Sequence, residues 1–480
     1  MSPASATVIV VIGILGLFWL DRDVKLRTSA ALWIPVVWLA IACSRPVSSW
    51  FSTGSSGITV DQFVDRVMDG SPTDRLVFTC LLAAGIVVLL GRARQVGNIL
   101  RANRLILFCF LYFAVSLIWS DYPDVAFKRW AKLVGDFVMV LIVLTDRQPL
   151  EAIQRLLARL AFVLIPLSIL FIKYYPQLGT AYSQWTGGAI YTGVTTNKNT
   201  LGVICLCLGL GASWRILTIY GDRGVPGRFR RLIAQGVILA MMLYLFRLMD
   251  SMTSLASFLM ALCLLLATRS RLAVERPAVI HLLVASMLAV SVSVAFLGVS
   301  PNTLRAMGRN PTLTDRTMLW GNLLGLVQNS WFGTGFESFW LGPRLGEMWR
   351  LSGFVVNEAH NGYLEVFLNL GWMGVALLAT VIVTGYRKVF GAWRTNGLKA
   401  DLSLTYFFVG LVYNFTEAAF FKIQAPAWIF FLLAITSVPV ISSSTVRTKA
   451  QELPTTGPVG QEHEQPAFSE HQQYRDFQWL

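Results

Sequence analysis

The sequence predicts an all-α polytopic integral membrane protein with 12–13 transmembrane helices and one large extracytoplasmic loop containing short amphipathic helices. Three observations predict it. The 480 residues are 55% hydrophobic and only 14% charged, which excludes a set of soluble domains. Apolar runs recur along nearly the whole chain, and basic clusters fall in every second gap between them. The net charge of +14 therefore belongs to cytoplasmic loops and implies no nucleic-acid partner.

The apolar runs lie near residues 6–20, 29–43, 76–90, 105–119, 131–145, 156–172, 199–214, 232–249, 252–267, 278–299, 363–386, 402–421 and 425–441. The first is read as a membrane segment, because no basic residue precedes it and Asp21-Arg22-Asp23 follows without a small-residue cleavage site. Thirteen crossings put the N-terminus outside and the C-terminus inside. If the short first run does not cross, there are twelve and both ends are cytoplasmic. The basic gaps include Arg92/Arg94/Arg101/Arg104, Arg223/Arg228/Arg230/Arg231 and Arg387/Lys388/Arg394/Lys399. The six cysteines all lie in or beside apolar segments, so neither a disulfide nor a structural metal is expected. Three regions follow: N-terminal transmembrane helices at 1–172, a membrane core at 173–441 with its large outward loop at 300–362, and a cytoplasmic tail at 442–480. The tail is expected to be disordered, being rich in Gln, Glu and Pro from Gln451 onward.

The outward loop 300–362 carries Arg305, Arg309, Arg316, Arg344 and Arg350 and no lysine. Guanidinium is a planar fork suited to phosphate, although such arginines also reach lipid headgroups or pair with Asp315, Glu337, Glu347 and Glu358. Arg316 stands in an amphipathic pattern with Thr314 as N-cap. Trp320, four residues on, shares its face and can hold the guanidinium by a cation–π contact. The face through Leu319, Leu323 and Leu326 can then lie on the membrane. Gly333-Thr334-Gly335-Phe336 reads as a tight turn and not as a nucleotide site.

A second outward gap, 173–198, ends in TGVTTNKNTLG. With Asn199 or Thr200 as cap of the following helix, Lys198 sits beside free backbone N–H groups at the positive end of the helix dipole, where an anion is favoured. An ordinary boundary lysine is the competing reading. Tyr182, Trp185 and Tyr191 suit stacking on sugar rings, and an interfacial aromatic belt explains them equally.

Only His281 and His360 precede the tail, and His281 falls at a membrane boundary. His360 is thus the one candidate general base in a water-facing loop, with Glu358 placed to orient it. The competing reading makes His360 a helix-start residue with Asn361 as N-cap. Gly371 and Gly374 point to close helix packing.

Three patches, TTNKNTLG, DRTMLWGNLLGLVQNSWFGTGFESF and AHNGYLEVFLNLGWMG, resemble the O-antigen ligase and exopolysaccharide polymerase superfamily over roughly residues 190–440. The last carries His-Asn, nine residues and Gly-x-x-Gly. The Lys-Asn form of the first is most similar to exopolysaccharide polymerization proteins of the succinoglycan type. Where the family often has a Ser-Arg pair, near 248–255, this chain reads DSMTSL.

The resemblance implies an inverting glycosyltransferase at the outer face of the bacterial inner membrane, its site facing the periplasm. Donor and acceptor would be polyprenyl-diphosphate-linked oligosaccharides. His360 would act as base, and Arg316 and Lys198, helped by Arg309 or Arg305, would stabilise the departing diphosphate. Asn361, Glu358 and Trp320 would support them, and no cofactor or divalent metal is called for. Ligation to lipid A core is the alternative within enzymes, and a lipid-linked glycan transporter is the alternative outside them. Whether a chain-length regulator works with the protein stays open.

Overall fold

The computed structural model describes residues 1–22, 28–51, 70–182, 187–249, 251–296, 313–353 and 355–452. The chain divides into a body, Met1–Ser442, and a second unit, Ser443–Leu480. Helices of ten residues or more are α1 Pro3–Leu20, α2 Trp33–Ala42, α3 Pro72–Leu90, α4 Ala93–Ala102, α5 Arg104–Val115, α6 Pro123–Leu144, α7 Pro149–Tyr174, α8 Lys198–Gly221, α9 Arg228–Met249, α10 Met252–Ala267, α11 Ala278–Phe296, α12 Leu313–Gly325, α13 Gly342–Ser352, α14 Gly362–Asn396, α15 Asp401–Tyr413 and α16 Pro426–Glu452. The sheet among the described residues is a single hairpin, β1 Thr180–Tyr182 against β2 Ala189–Tyr191.

The protein is an all-α, multi-pass membrane protein. Among the described residues every apolar run named above falls largely on helix, apart from the second half of 402–421; residues 297–299 lie outside the described residues. Six helices, α1, α3, α7, α8, α9 and α14, are long and apolar enough to cross a bilayer. Helix α4 and the α5 segment through Trp119 form a seventh candidate bent by 88°, and five further apolar helices are shorter. The bend has a readable cause, since α4 is amphipathic and carries Arg94 and Arg101 while α5 is apolar.

Helix α8 lies at the centre and is buried along most of its length, Leu201 to Arg215. Gly202, Gly209 and Gly211 let α10, α9 and α7 approach it closely, in the manner of small residues at membrane helix contacts. Its far end is tied by polar bonds: Trp214 Nε1 donates to Asp401 Oδ1 at 2.7 Å, and the Arg269 guanidinium holds Asp401 Oδ2 at 2.7 Å. Ser251 and Ser254, in the segment that reads DSMTSL, are buried against Gly202; Asp250 lies outside the described residues.

Helix α14 is interrupted at Gly371, which takes φ 63, ψ −163. A Cβ there would stand 2.3 Å from the Trp331 carbonyl carbon, so both the backbone angle and the space require glycine. The close approach expected of Gly371 is therefore to a loop, and it breaks the helix. Gly371→Ala is expected to lower stability by about 3 kcal/mol from left-handed strain plus overpacking. A melting temperature in detergent equal to that of the parent would contradict this.

Candidate functional site

The site forms where three segments end together: the start of α8, the start of α14 and the irregular stretch 414–425 after α15. The apolar run 402–421 predicted one continuous helix, but α15 stops at Tyr413. Asn414 accounts for the stop. Its Oδ1 accepts from the backbone N–H groups of Ala419 and Phe420, both at 2.8 Å, and so folds the chain back on itself. Glu417 and Lys422 are thereby taken out of a helix and placed beside His360.

His360 adopts φ 48, a costly conformation for a residue with a side chain. Its neighbours hold it there. Trp320 Nε1 donates to the Ala359 carbonyl at 2.8 Å, and the Ala359 N–H donates to Glu365 Oε2 at 3.0 Å. Asn361 caps α14, its Oδ1 accepting from Tyr363 N and Leu364 N at 3.0 and 3.1 Å. Gly362 N donates to the Asn414 carbonyl at 2.8 Å, which joins the two segments directly. Asn361 is thus the cap that the competing reading assigned it, while the imidazole is turned to other partners.

Those partners are carboxylates. His360 Nδ1 lies 3.2 Å from Glu358 Oε1 and 3.3 Å from Glu417 Oε2. Carboxylates accept only, so Nδ1 carries a proton and Nε2 keeps the lone pair in the neutral ring. Glu417 Oε1 accepts from Asn199 Nδ2 at 3.0 Å, which brings in the first turn of α8. Lys422 Nζ pairs with the other oxygen of Glu358. About a third of the His360 side chain is exposed, enough for a ligand to reach it.

Burial alone would depress the His360 pKa; the Glu417 hydrogen bond and the Glu358 and Glu417 charges outweigh it, against opposition from Arg316, and hold the imidazole above its ordinary value. Burial tends to raise the Glu358 pKa, but the Lys422 and His360 charges keep its carboxyl below the usual range. Lys422 is shifted upward, since the Glu358 and Glu365 charges overcome its burial.

Arg316 lies on α12, near enough to act electrostatically on both Glu358 and His360. Lys198 is the first residue of α8, beside Asn199. Among the described residues neither cation forms a hydrogen bond or ion pair. Two local expectations are corrected. The cap of α8 is Asn197, whose side chain accepts from Thr200 N at 2.7 Å, which frees Asn199 to reach Glu417. Thr314 is not a cap either, because α12 already begins at Leu313.

A third correction concerns the apolar face of α12. Leu319 and Leu323 are buried with Phe339, Trp340, Leu345 and Met348, and Leu326 packs on the same group. The face predicted to rest on the membrane instead seats α12 on the protein, because the indole anchored at Ala359 turns that face inward. Gly333 and Gly335, with φ 67 and 90, form the predicted turn and pack against Asn369 and Ser120. Arg305, Arg309 and Trp185 lie outside the described residues. Arg344 pairs with Asp121 at 2.8 Å and Arg350 with Glu347, so these two loop arginines are committed elsewhere.

Glu417, Lys422 and Asn199 were missed as site residues. The available signal was a Glu and a Lys five residues apart inside the apolar stretch 402–435, where ionisable groups are costly and mark function. The ligand atoms of Glu358, His360 and Glu417 lie within 4.8 Å of one another, a chelating distance. The positive charge facing them is Lys422, and we assign no metal ligand there.

A known family and a known protein are similar to the chain. Residues 237–379 match the family described as O-antigen ligase. The chain is 26% identical over 311 residues to the exopolysaccharide production protein ExoQ of Rhizobium meliloti (strain 1021), covering 62% of this chain and 68% of that one. With its multi-pass helical body and the His-Asn segment at the head of α14, the chain is similar to the O-antigen ligase and polymerase superfamily and to ExoQ.

Proposed function

We propose that the protein is an inverting glycosyltransferase that polymerises polyprenyl-diphosphate-linked oligosaccharide repeat units into exopolysaccharide at the outer face of the bacterial inner membrane. One observation carries the reading. An imidazole whose Nδ1 is held by Glu417 and Glu358 leaves Nε2 as a base, with Arg316 acting on it and Lys198 next in sequence to the Asn199 that contacts Glu417. The similarity to ExoQ supports exopolysaccharide as the product. The outward placement is supported by Arg223, Arg387, Lys388 and Arg394, which lie at or beyond the opposite ends of α8 and α14.

In this reading an acceptor hydroxyl attacks the anomeric carbon of the donor. Its proton passes to His360 Nε2, and the bond from that carbon to the diphosphate oxygen breaks with inversion. The bonding pair leaves with polyprenyl diphosphate, whose developing charge meets Arg316 and Lys198, with Arg305 and Arg309 assigned the same task. No metal takes part, these cations supplying the positive charge. Glu417 orients the ring and stabilises the imidazolium, as Glu358 does to a lesser degree.

The match to the O-antigen ligase family favours a second reading, transfer to lipid A core. Purified protein in proteoliposomes with lipid-linked repeat units, with and without lipid A core, separates the two. Polymer and one released polyprenyl diphosphate per bond are expected without the core. Product only on the core replaces the polymerase reading with the ligase, and no glycosidic bond with either acceptor ends both.

The base is the neutral ring, so transfer is expected to quicken as pH rises through the elevated His360 pKa. Glu417→Gln removes a contribution that raises this pKa, so the rise moves to lower pH and reaches a lower plateau. A pH–rate curve whose midpoint stays fixed in that variant contradicts the assignment.

A further inference from the structure

Four non-glycine residues among those described have positive φ: Glu337 (54), His360 (48), Phe421 (58) and Gln424 (54). Two of the four bracket Lys422, and such strain concentrates where a structure holds a group for function. The fold secures that stretch from several sides. Asn414 accepts from Ala419 and Phe420, Asp136 Oδ2 accepts from Gln424 N at 2.9 Å, and the Phe421 ring packs on Phe113 and Trp428 at 4.8 and 5.1 Å. What all this presents is one ammonium, set on Glu358.

Glu358 is shared. One oxygen faces Lys422 and the other lies 3.2 Å from His360 Nδ1, while Glu417 approaches the same nitrogen at 3.3 Å. Two uncompensated carboxylates on one ring nitrogen would keep the imidazole protonated, and a protonated ring accepts no further proton. We propose that Lys422 is a positioning residue that takes up the Glu358 charge, so that His360 faces a single uncompensated carboxylate, Glu417, and sheds its proton between turnovers. Its value for turnover rests on the glycosyltransferase reading; the charge arrangement does not.

The other charged groups are accounted for. Arg316 from α12 opposes protonation of His360, and Glu365 and Glu337 act on Lys422. From α8, the neutral Asn199 contacts Glu417, with Lys198 preceding it. Removing Lys422 therefore exposes His360 to a second anion and withdraws a cation at once. Both changes favour the protonated ring.

The test is the titration of ring-labelled histidines by NMR in the full-length protein, with His360→Gln assigning one of the four signals. Lys422→Met is expected to raise the His360 midpoint by about one pH unit, while Lys422→Arg leaves it near the parent. Lys422→Met/Glu358→Gln, which removes both charges, returns it to the parent value or below and carries the test if the single variant does not fold. In the polymerisation assay the acidic limb of Lys422→Met moves upward with the midpoint. A midpoint that stays or falls in Lys422→Met, or exceeds the parent in the double variant, overturns the proposal. A shifted midpoint in a protein that makes no glycosidic bond upholds the charge arrangement and removes the polymerase reading instead.

Discussion

His360→Ala is expected to slow glycosyl transfer by about 10²–10⁴-fold while leaving donor affinity within about twofold, because proton abstraction contributes in the transition state and little to ground-state binding. The side chain is one-third exposed, and its fixed contacts are two carboxylates on one edge. Truncation leaves those carboxylates with Asn199 and Lys422, so the pocket keeps most of its polar framework. Stability is therefore expected to change little compared with rate. Polymer formed at close to the parent rate would remove the general-base role.

Arg316→Ala is expected to show the opposite balance. The diphosphate is charged in the donor and more so as it departs, so loss of the guanidinium weakens donor binding roughly 10–100-fold and lowers the rate about 10²–10³-fold. Arg316→Lys recovers only part of both, since an ammonium lacks the planar fork. Unchanged affinity for polyprenyl diphosphate in Arg316→Ala would detach α12 from the diphosphate.

The helices were legible because bilayer crossing demands long apolar runs. Asn361 as the cap of α14 and the turn at Gly333–Gly335 were legible for similar reasons, both being local chemistry. The break after Tyr413 was not. Residues 414–421 are apolar enough to continue a helix, and only the Asn414 side chain, reaching five and six residues ahead, unwinds them. A continuous helix would have left Glu417 and Lys422 as charges near the end of a span.

The same limit applies to α12. Its amphipathic period gave the helix but not the surface that receives it, and both a bilayer and the protein cluster around Met348 accept an apolar stripe. Asn199 illustrates the smallest scale of the problem. Asn197 and Asn199 are both chemically fit to cap α8, and a two-residue choice between them decides whether Asn199 reaches Glu417.

In the proposed reaction, groups from separate segments meet one diphosphate-bearing substrate. The most direct measurement is polyprenyl diphosphate affinity in nanodiscs for the parent, Arg316→Ala, Lys198→Ala and the double variant. Each single loss is expected to weaken binding, and the double variant to lose clearly less or more than their sum, as cations on one ligand do. Affinities that stay at the parent level, or losses that simply add, would contradict a shared pocket.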